Sequence, residues 1–261
     1  MSDQIKEFLR SQNLSGEYGR VLQFGHIADL GMTYEPVAPG GTYKTPTPSA
    51  ALPLRVRGGD VADTATGLGA RSVDIVYLDT NLRCQVETLA TAGASASAAT
   101  TRNVLRLLSF RVGSSGTYAA FPNFSHVGDI VLEDTNSDIW GTILSTDLLR
   151  GASQIGLYTV PAVLRKGAIV VEAYLYGFTM TAATNKSVDF AFMLRPGLLK
   201  ETAPYAPVVI AAEFKGIQET AHFNLPVPIG PFPVGTDLGF IARADVAADA
   251  VGIIDIVLAV K

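Results

Sequence analysis

The chain has 261 residues, of which 48% are hydrophobic and only 17% are charged. This composition is far from that of a disordered segment and is enough for a sizeable buried core. The formal net charge of −4 argues against nucleic acid and anionic membranes as partners, because both reward an excess of Lys and Arg.

The first 53 residues predict a short helix followed by an extended arm. Ile5, Phe8 and Leu9 recur at helical spacing behind a serine that suits a helix cap. Residues 36–53 are dense in Pro, Gly, Thr and Ser, which interrupt helices and ladders, yet this stretch also carries Tyr43 and other apolar side chains. We expect the arm to lie on a surface. The polar start lacks the hydrophobic stretch of a secretory signal, which predicts folding in a cytoplasm.

From Leu54 onward, short apolar runs with period-two alternation predict antiparallel strands. Clusters of Gly, Pro, Asn or Ser separate the runs, as in sandwiches and barrels. The fold class is therefore predicted to be all-β, an antiparallel β-sandwich of jelly-roll type over residues 54–261, with two β subdomains as an alternative that divides near 161–167. The candidate strands are 73–78, 82–88, 104–112, 129–132, 139–144, 155–160, 168–176, 188–194, 208–214, 222–227, 238–243 and 251–260.

Two segments between the candidate strands are expected to need a partner chain to cover them. Residues 90–101 form a low-complexity tract of Ala, Thr, Ser and Gly, which predicts a loop or an edge strand packed against a partner. Residues 226–233 alternate proline with Val227, Ile229 and Phe232, which we expect to prevent ladder pairing and to leave an apolar ribbon for a neighbouring subunit.

Motifs of nucleotide and hydrolase sites are absent from the sequence. No phosphate-binding loop occurs, and Gly151, Ser153 and Gly156 miss the spacing of a hydrolase elbow by one residue. Cys84 is the only cysteine, so the chain can form neither an internal disulfide nor a thiolate cage for a metal. We therefore predict a protein that is not an enzyme and that holds no cofactor and no metal.

Other chemistry stays open as an alternative. Trp140 could stack a sugar, but its apolar strand favours core packing. His126 beside Ser125 suits a loop that satisfies its own backbone better than an acid–base cluster. Calcium at Asp60 and Asp63 would need oxygen ligands, and their spacing matches no calcium loop. Four acidic residues are available for a pair of glycosidase carboxylates, although each also suits a strand end or a turn: Asp134, Asp138, Asp189 and Glu213.

The run from Asp60 to Val73, followed by a hairpin, resembles a segment of tailed-bacteriophage virion proteins in which an acidic, glycine-punctuated loop feeds two strands. Residues 158–161, leading to Gly167, are similar to a strand, proline and turn of the same proteins. The resemblance implies a virion structural protein: a capsid cement or decoration protein or, as the alternative, a tail or fibre module that binds a host receptor or glycan. It also implies a homo-oligomer, expected to be a trimer, in contact with the major capsid protein or other virion proteins.

The residues of the first motif allow a local interpretation as well. Gly67 and Gly69 permit a positive φ or the close approach of another chain, and Asp60 or Asp63 can bond loop amides or the Arg71 side chain. A loop satisfied within its own chain is the alternative. We expect apolar segments that one copy cannot hide to be covered when subunits meet. The candidate interaction residues are Ile5, Phe8, Leu9, Tyr43, Asp60, Asp63, Gly67, Gly69, Arg71, Val227, Ile229 and Phe232.

Overall fold

The computed structural model describes residues 19–116, 125–146, 151–162, 171–181, 187–196, 206–218, 229–246 and 251–260. Helical structure within these ranges is limited to two single 3₁₀ turns, Pro39–Gly41 and Pro48–Ala50. No helix in the described part of the chain is long and apolar enough to cross a bilayer. The predicted helix with Ile5, Phe8 and Leu9 lies outside the described residues.

Fifteen strands occupy most of the described ranges. They are β1 (Gly19–Ile27), β2 (Glu35–Pro36), β3 (Leu54–Gly58), β4 (Ala70–Leu78), β5 (Cys84–Ala90), β6 (Arg106–Ser115), β7 (Ile130–Asp134), β8 (Ile139–Ile143), β9 (Leu157–Thr159), β10 (Val171–Thr181), β11 (Val188–Arg195), β12 (Val209–Ile217), β13 (Ile229–Phe232), β14 (Asp237–Ala244) and β15 (Val251–Val260).

The strands form four antiparallel sheets. Sheet A has the order β1-β15-β10-β13, and sheet B has the order β12-β11-β14-β2, with β9 also pairing with β14. Sheet C is β3-β7-β8 and sheet D is β5-β4-β6. The prediction of an all-β, antiparallel sandwich is confirmed. The long strand β1 was not predicted, and the candidate strand 222–227 falls outside the described residues.

The described residues form two hydrophobic cores. The first core is built mainly on one face of sheet B, with Phe190, Phe192 and Phe240 at its centre. The second core fills the space between sheets C and D and contains Trp140, the only tryptophan. The core packing predicted for Trp140 is thus confirmed, and its indole nitrogen donates to Asp134 Oδ2 at 3.2 Å.

Sheet D contributes to both cores because side chains alternate across a strand. Along β4, Ile75 and Tyr77 point into the second core, whereas Val76 and Leu78 contact the first. A local pattern of period two therefore builds a layer with two apolar faces. The boundary predicted near 161–167 falls mostly outside the described residues and stays a prediction.

A buried ion cluster joins sheets B and D. Asp237 at the start of β14 accepts hydrogen bonds from Arg106 Nε at 2.8 Å, from Arg195 Nε at 3.0 Å and from Thr159 Oγ1 at 2.6 Å. Arg106 and Asp237 are almost fully buried. Burial disfavours the charged carboxylate, but the hydrogen bond and charge of Arg106, with help from Thr159 and Arg195, keep the pKa of Asp237 below its usual value.

The arm, residues 36–53, packs against the sheets of its own chain. Val37 belongs to the first core and Ala38 to the second. Tyr43 packs against the second core, and its hydroxyl lies 3.0 Å from Thr159 Oγ1. Because Thr159 already donates to Asp237, Tyr43 is the donor in this contact. The Tyr43 side chain is therefore held by contacts within its own chain.

The low-complexity tract 90–101 also packs against its own chain. Thr100 N donates to Leu54 O at 2.7 Å, and Ser97 N donates to Val56 O at 2.8 Å. The hydroxyls of the same two residues accept from the Leu54 and Val56 amides. The tract therefore covers the free edge of β3. Its small side chains suit this position because they let the backbone come close to the strand.

The proline ribbon needs a similar correction. Residues Ile229–Phe232 form strand β13 and pair with β10, although they include a proline. β13 is the last strand of sheet A, and an edge strand tolerates proline because one row of amides has no ladder partner. Phe232 is buried in the chain's own first core, so it is not left for a neighbour. Val227 lies outside the described residues.

Candidate interaction surface

Exposed apolar side chains show where the fold leaves apolar surface uncovered. Among the described residues, ten large hydrophobic side chains are exposed. Three of them stand on two loops that meet beside sheets C and D: Val61 is 81% exposed, Leu68 69% and Val127 50%. We call residues 59–69 and 125–128 the Asp63 loop cluster, after the residue that holds them together.

Asp63 is completely buried and joins both loops through its carboxylate. Oδ1 accepts from Ala70 N at 2.8 Å and from Val127 N at 3.0 Å, while Oδ2 accepts from Gly128 N at 2.9 Å. Hydrogen bonds to a charged acceptor are about twice as strong as those between neutral groups. The carboxylate therefore holds the backbone two residues after Leu68 and at Val127.

The glycines predicted to matter are required by close packing inside the same chain. A Cβ at Gly67 would collide with the carbonyl oxygen of Ala62, and a Cβ at Gly69 would collide with the Asp63 carboxylate. Neither residue has a positive φ. Both glycines are thus approached closely by groups of their own chain, and the predicted approach of another chain stays a prediction.

Asp60 and Arg71, the other two candidate residues of the motif, also bond within this region. Asp60 Oδ1 accepts from Ala62 N at 2.7 Å and closes a turn. Arg71 Nε donates to Gly67 O at 2.9 Å, so it supports the loop carbonyl and does not pair with either aspartate. Within the described residues, no group of three His, Cys, Asp or Glu side chains is placed to hold a metal ion.

The outcome is a hydrogen-bonded loop cluster that exposes the side chains of Val61, Leu68 and Val127, which we call its apolar tip. Predicted residues Asp60, Asp63, Gly67, Gly69 and Arg71 come together, and each acts on the backbone of the cluster. Sequence reasoning missed the exposed Val61, Leu68 and Val127, since an apolar residue in a loop gives no sign of whether it is covered. A preorganised apolar tip favours binding because little loop entropy is lost when a partner covers it.

The candidate carboxylates of a glycosidase are engaged in structural contacts. Asp134 closes the turn between β7 and β8 by accepting from the Asn136 and Asp138 amides. Asp189 accepts from Arg243 Nε at 3.0 Å, and Glu213 accepts from the Tyr34 hydroxyl at 2.8 Å.

The hydrogen bond between Tyr34 and Glu213 shifts the pKa of both side chains. It is the main cause that lowers the pKa of Glu213, with help from Lys215. Burial, together with the Glu213 contact, raises the pKa of Tyr34 to about 12. Both groups therefore keep their ordinary charge states near neutral pH.

Comparison with known proteins gives only weak likenesses. The sequence matches no protein-family model and no curated protein. T=1 particles derived from infectious bursal virus are 11% identical with a TM-score of 0.25, over 93% of this chain and 69% of that chain. The VP2 subviral particle of infectious bursal disease virus is 15% identical with a TM-score of 0.24, over 97% of this chain and 77% of that chain. Similarity at this level does not establish a common fold, and the resemblance to tailed-phage proteins stays a prediction.

Proposed function

We propose that this chain is a structural protein of a virus particle and that it works by adhesion, without catalysis or a cofactor. The observation that carries this proposal is the Asp63 loop cluster, where Val61, Leu68 and Val127 stay exposed on a backbone held by a buried carboxylate. Burying side chains of this kind contributes about 1.5–3 kcal/mol each. An apolar tip on a hydrogen-bonded backbone therefore suits a protein that makes the same contact many times in one assembly.

The finer role follows from the sequence resemblance to tailed-phage virion proteins. Within that class, a capsid cement or decoration protein fits best, because such a protein must cover neighbours with preformed surfaces. We propose that the tip of the loop cluster binds the major capsid protein or another copy of this chain. The trimer implied by the sequence resemblance stays a prediction. The virion is the proposed location, with assembly in the host cytoplasm.

Particle incorporation tests this function directly. In a variant with Val61→Ser, Leu68→Ser and Val127→Ser, the carboxylate contacts of Asp63 should stay in place because all three are made to backbone amides. We expect this variant to melt within a few degrees of wild type and to be absent from purified particles. The matched control carries Met32→Ser, Val86→Ser and Val246→Ser, three exposed apolar residues outside the cluster, and should be incorporated normally.

Imaging of intact particles separates the finer roles. Many symmetry-related copies over the shell would support the cement role. A few copies at a single vertex would overturn it in favour of a tail or fibre module. Complete absence of the chain from particles, or equal incorporation of the loop variant and wild type, would refute adhesion through the loop cluster.

A further inference from the structure

Strand β12 is an edge strand whose two halves differ. In the described part of the chain it pairs only with β11, and it ends the order of sheet B. An edge strand presents a row of unpaired amides and carbonyls, which is a template for another strand unless side chains or bulges protect it.

The second half of β12 carries such protection. Glu213 forms an ion pair with Lys215 at 3.2 Å and accepts from the Tyr34 hydroxyl. Gly216 has a φ of +66° beside an irregularity in the register, and its amide donates to Asp189 Oδ1 at 2.9 Å. Charges and a bulge both oppose the addition of a further strand here.

The start of β12 has no comparable protection among the described residues. Val208, which directly precedes the strand, is 50% exposed, and Val209 and Ile210, its first two residues, are 48% and 44% exposed. The residues on either side of this segment are exposed as well. Consecutive residues of a strand face opposite sides, so both faces of this half are open. Residues 206–212 contain no charge. This combination of an apolar run and a free edge is the signature of a strand that pairs with another chain.

We propose that Val208–Ile210 pairs with the same segment of a second copy, antiparallel and across a two-fold axis. Such a contact is self-complementary: centred on Val209, it places Val208 opposite Ile210 of the partner copy. Glu213 and Lys215 then lie beyond the paired segment, whereas a pairing centred on either one would bring identical charges together. The uncharged, symmetric apolar run therefore fits its own copy and sets the register.

The pairing adds one specific contact between copies to the proposed function. It rests on that function only because it takes self-association to be the role of the chain. Sheet B of one copy would continue into sheet B of the other. The paired segment is short because Pro207, which has no amide hydrogen to donate, limits the ladder on one side. The irregularity between Ala212 and Ile210 limits it on the other.

Sedimentation equilibrium of the purified full chain tests the pairing. Single variants Val208→Lys and Ile210→Lys should weaken the dimer about tenfold or more, which would place them among the stronger interface substitutions. Gln218→Lys adds the same charge at an exposed position after the protected half and should leave the dimer unchanged. Trp140 fluorescence, from the buried core, verifies that each variant is folded.

Two further variants test the register and the two-fold axis. The double variant Val208→Lys/Ile210→Glu should recover most of the lost dimer, since each introduced lysine would face the introduced glutamate of the other copy. In a Cys84→Ala background, Val209→Cys should form a disulfide-linked dimer on oxidation, while Gln218→Cys should not.

A monomeric wild-type chain at all accessible concentrations would overturn the inference, as would equal effects of Gln218→Lys and Ile210→Lys. Failure of the double variant to recover any dimer would overturn the proposed register. Loss of the dimer only in the Val61, Leu68 and Val127 variant would assign self-association to the loop cluster, and would leave the proposed function standing without this contact.

Discussion

Replacing Asp63 with alanine should destabilise the protein strongly, because one carboxylate satisfies three backbone amides at once. The amides belong to Ala70, Val127 and Gly128, at distances of 2.8, 3.0 and 2.9 Å from the carboxylate oxygens. Asp63 has no exposed surface, so water does not reach the carboxylate in the native fold. Each hydrogen bond to a charged group contributes about 1.5–3 kcal/mol, and losses at one residue are not additive.

We therefore expect Asp63→Ala to lower the free energy of unfolding by about 3–5 kcal/mol, a large fraction of the 5–15 kcal/mol that domains typically have. Urea unfolding monitored by Trp140 fluorescence measures the change, with an unchanged m value as evidence that the same transition is observed. Asp63→Asn should fall between wild type and alanine, because its amide nitrogen turns one acceptor into a donor.

Asp60→Ala is the matched control. Asp60 lies three residues away in the same loop, but it accepts from a single amide and is not buried. Its loss should cost about 0.5–1.5 kcal/mol. The reasoning is refuted if Asp63→Ala costs no more than Asp60→Ala, since the buried carboxylate would then not be what holds the two loops.

Three other changes test the remaining parts of the fold. Arg106→Ala should lower the free energy of unfolding by about 3–5 kcal/mol, measured by thermal or urea unfolding, because it leaves Asp237 buried with a weaker set of partners. A loss below about 1 kcal/mol would contradict the link between sheets B and D. Because the folded-state pKa of Asp237 is lowered, its stabilising contribution is complete above the unfolded pKa of about 3.9 and is lost as the pH falls through the folded-state value. Melting curves should therefore show steeper acid destabilisation for wild type than for Asp237→Asn, and parallel curves would argue against this. Gly156→Ala should abolish folding or lower the melting temperature sharply, because the new Cβ would lie 2.9 Å from Val37 O. Gly40→Ala is the control: its Cβ would meet nothing within 4 Å, so only the positive φ opposes it, and it should cost about 1–2 kcal/mol in unfolding followed by circular dichroism. Similar losses of stability for both variants would contradict the close packing at Gly156.

The strands were predictable because alternation is a local property of the sequence. Runs such as 73–78 and 188–194 contain the pattern themselves, and both lie inside observed strands. Strand β1 was missed because its residues include two glycines and polar side chains, and its pairing with β15 depends on a segment from the other end of the chain.

The candidate site was predictable in part. The motif Asp60 to Arg71 was identified, since acidic residues and glycines in a loop have a known use in binding amides and in close packing. The second loop was not, because Val127 lies 64 residues from Asp63 in sequence. No local pattern shows which distant amides a buried carboxylate will meet.

The amino-acid pattern alone was enough to predict the all-β class, the acidic glycine-rich loop and the lack of nucleotide or thiolate motifs, because each depends on neighbouring residues. Which apolar residues are covered became visible only in the folded chain. It buries Phe232 in a core and packs Tyr43 against one, although both looked available to a neighbour, and it leaves Leu68 and Val208–Ile210 exposed. Burial is set by contacts between distant segments, so a chain can bury one apolar stretch and leave another exposed.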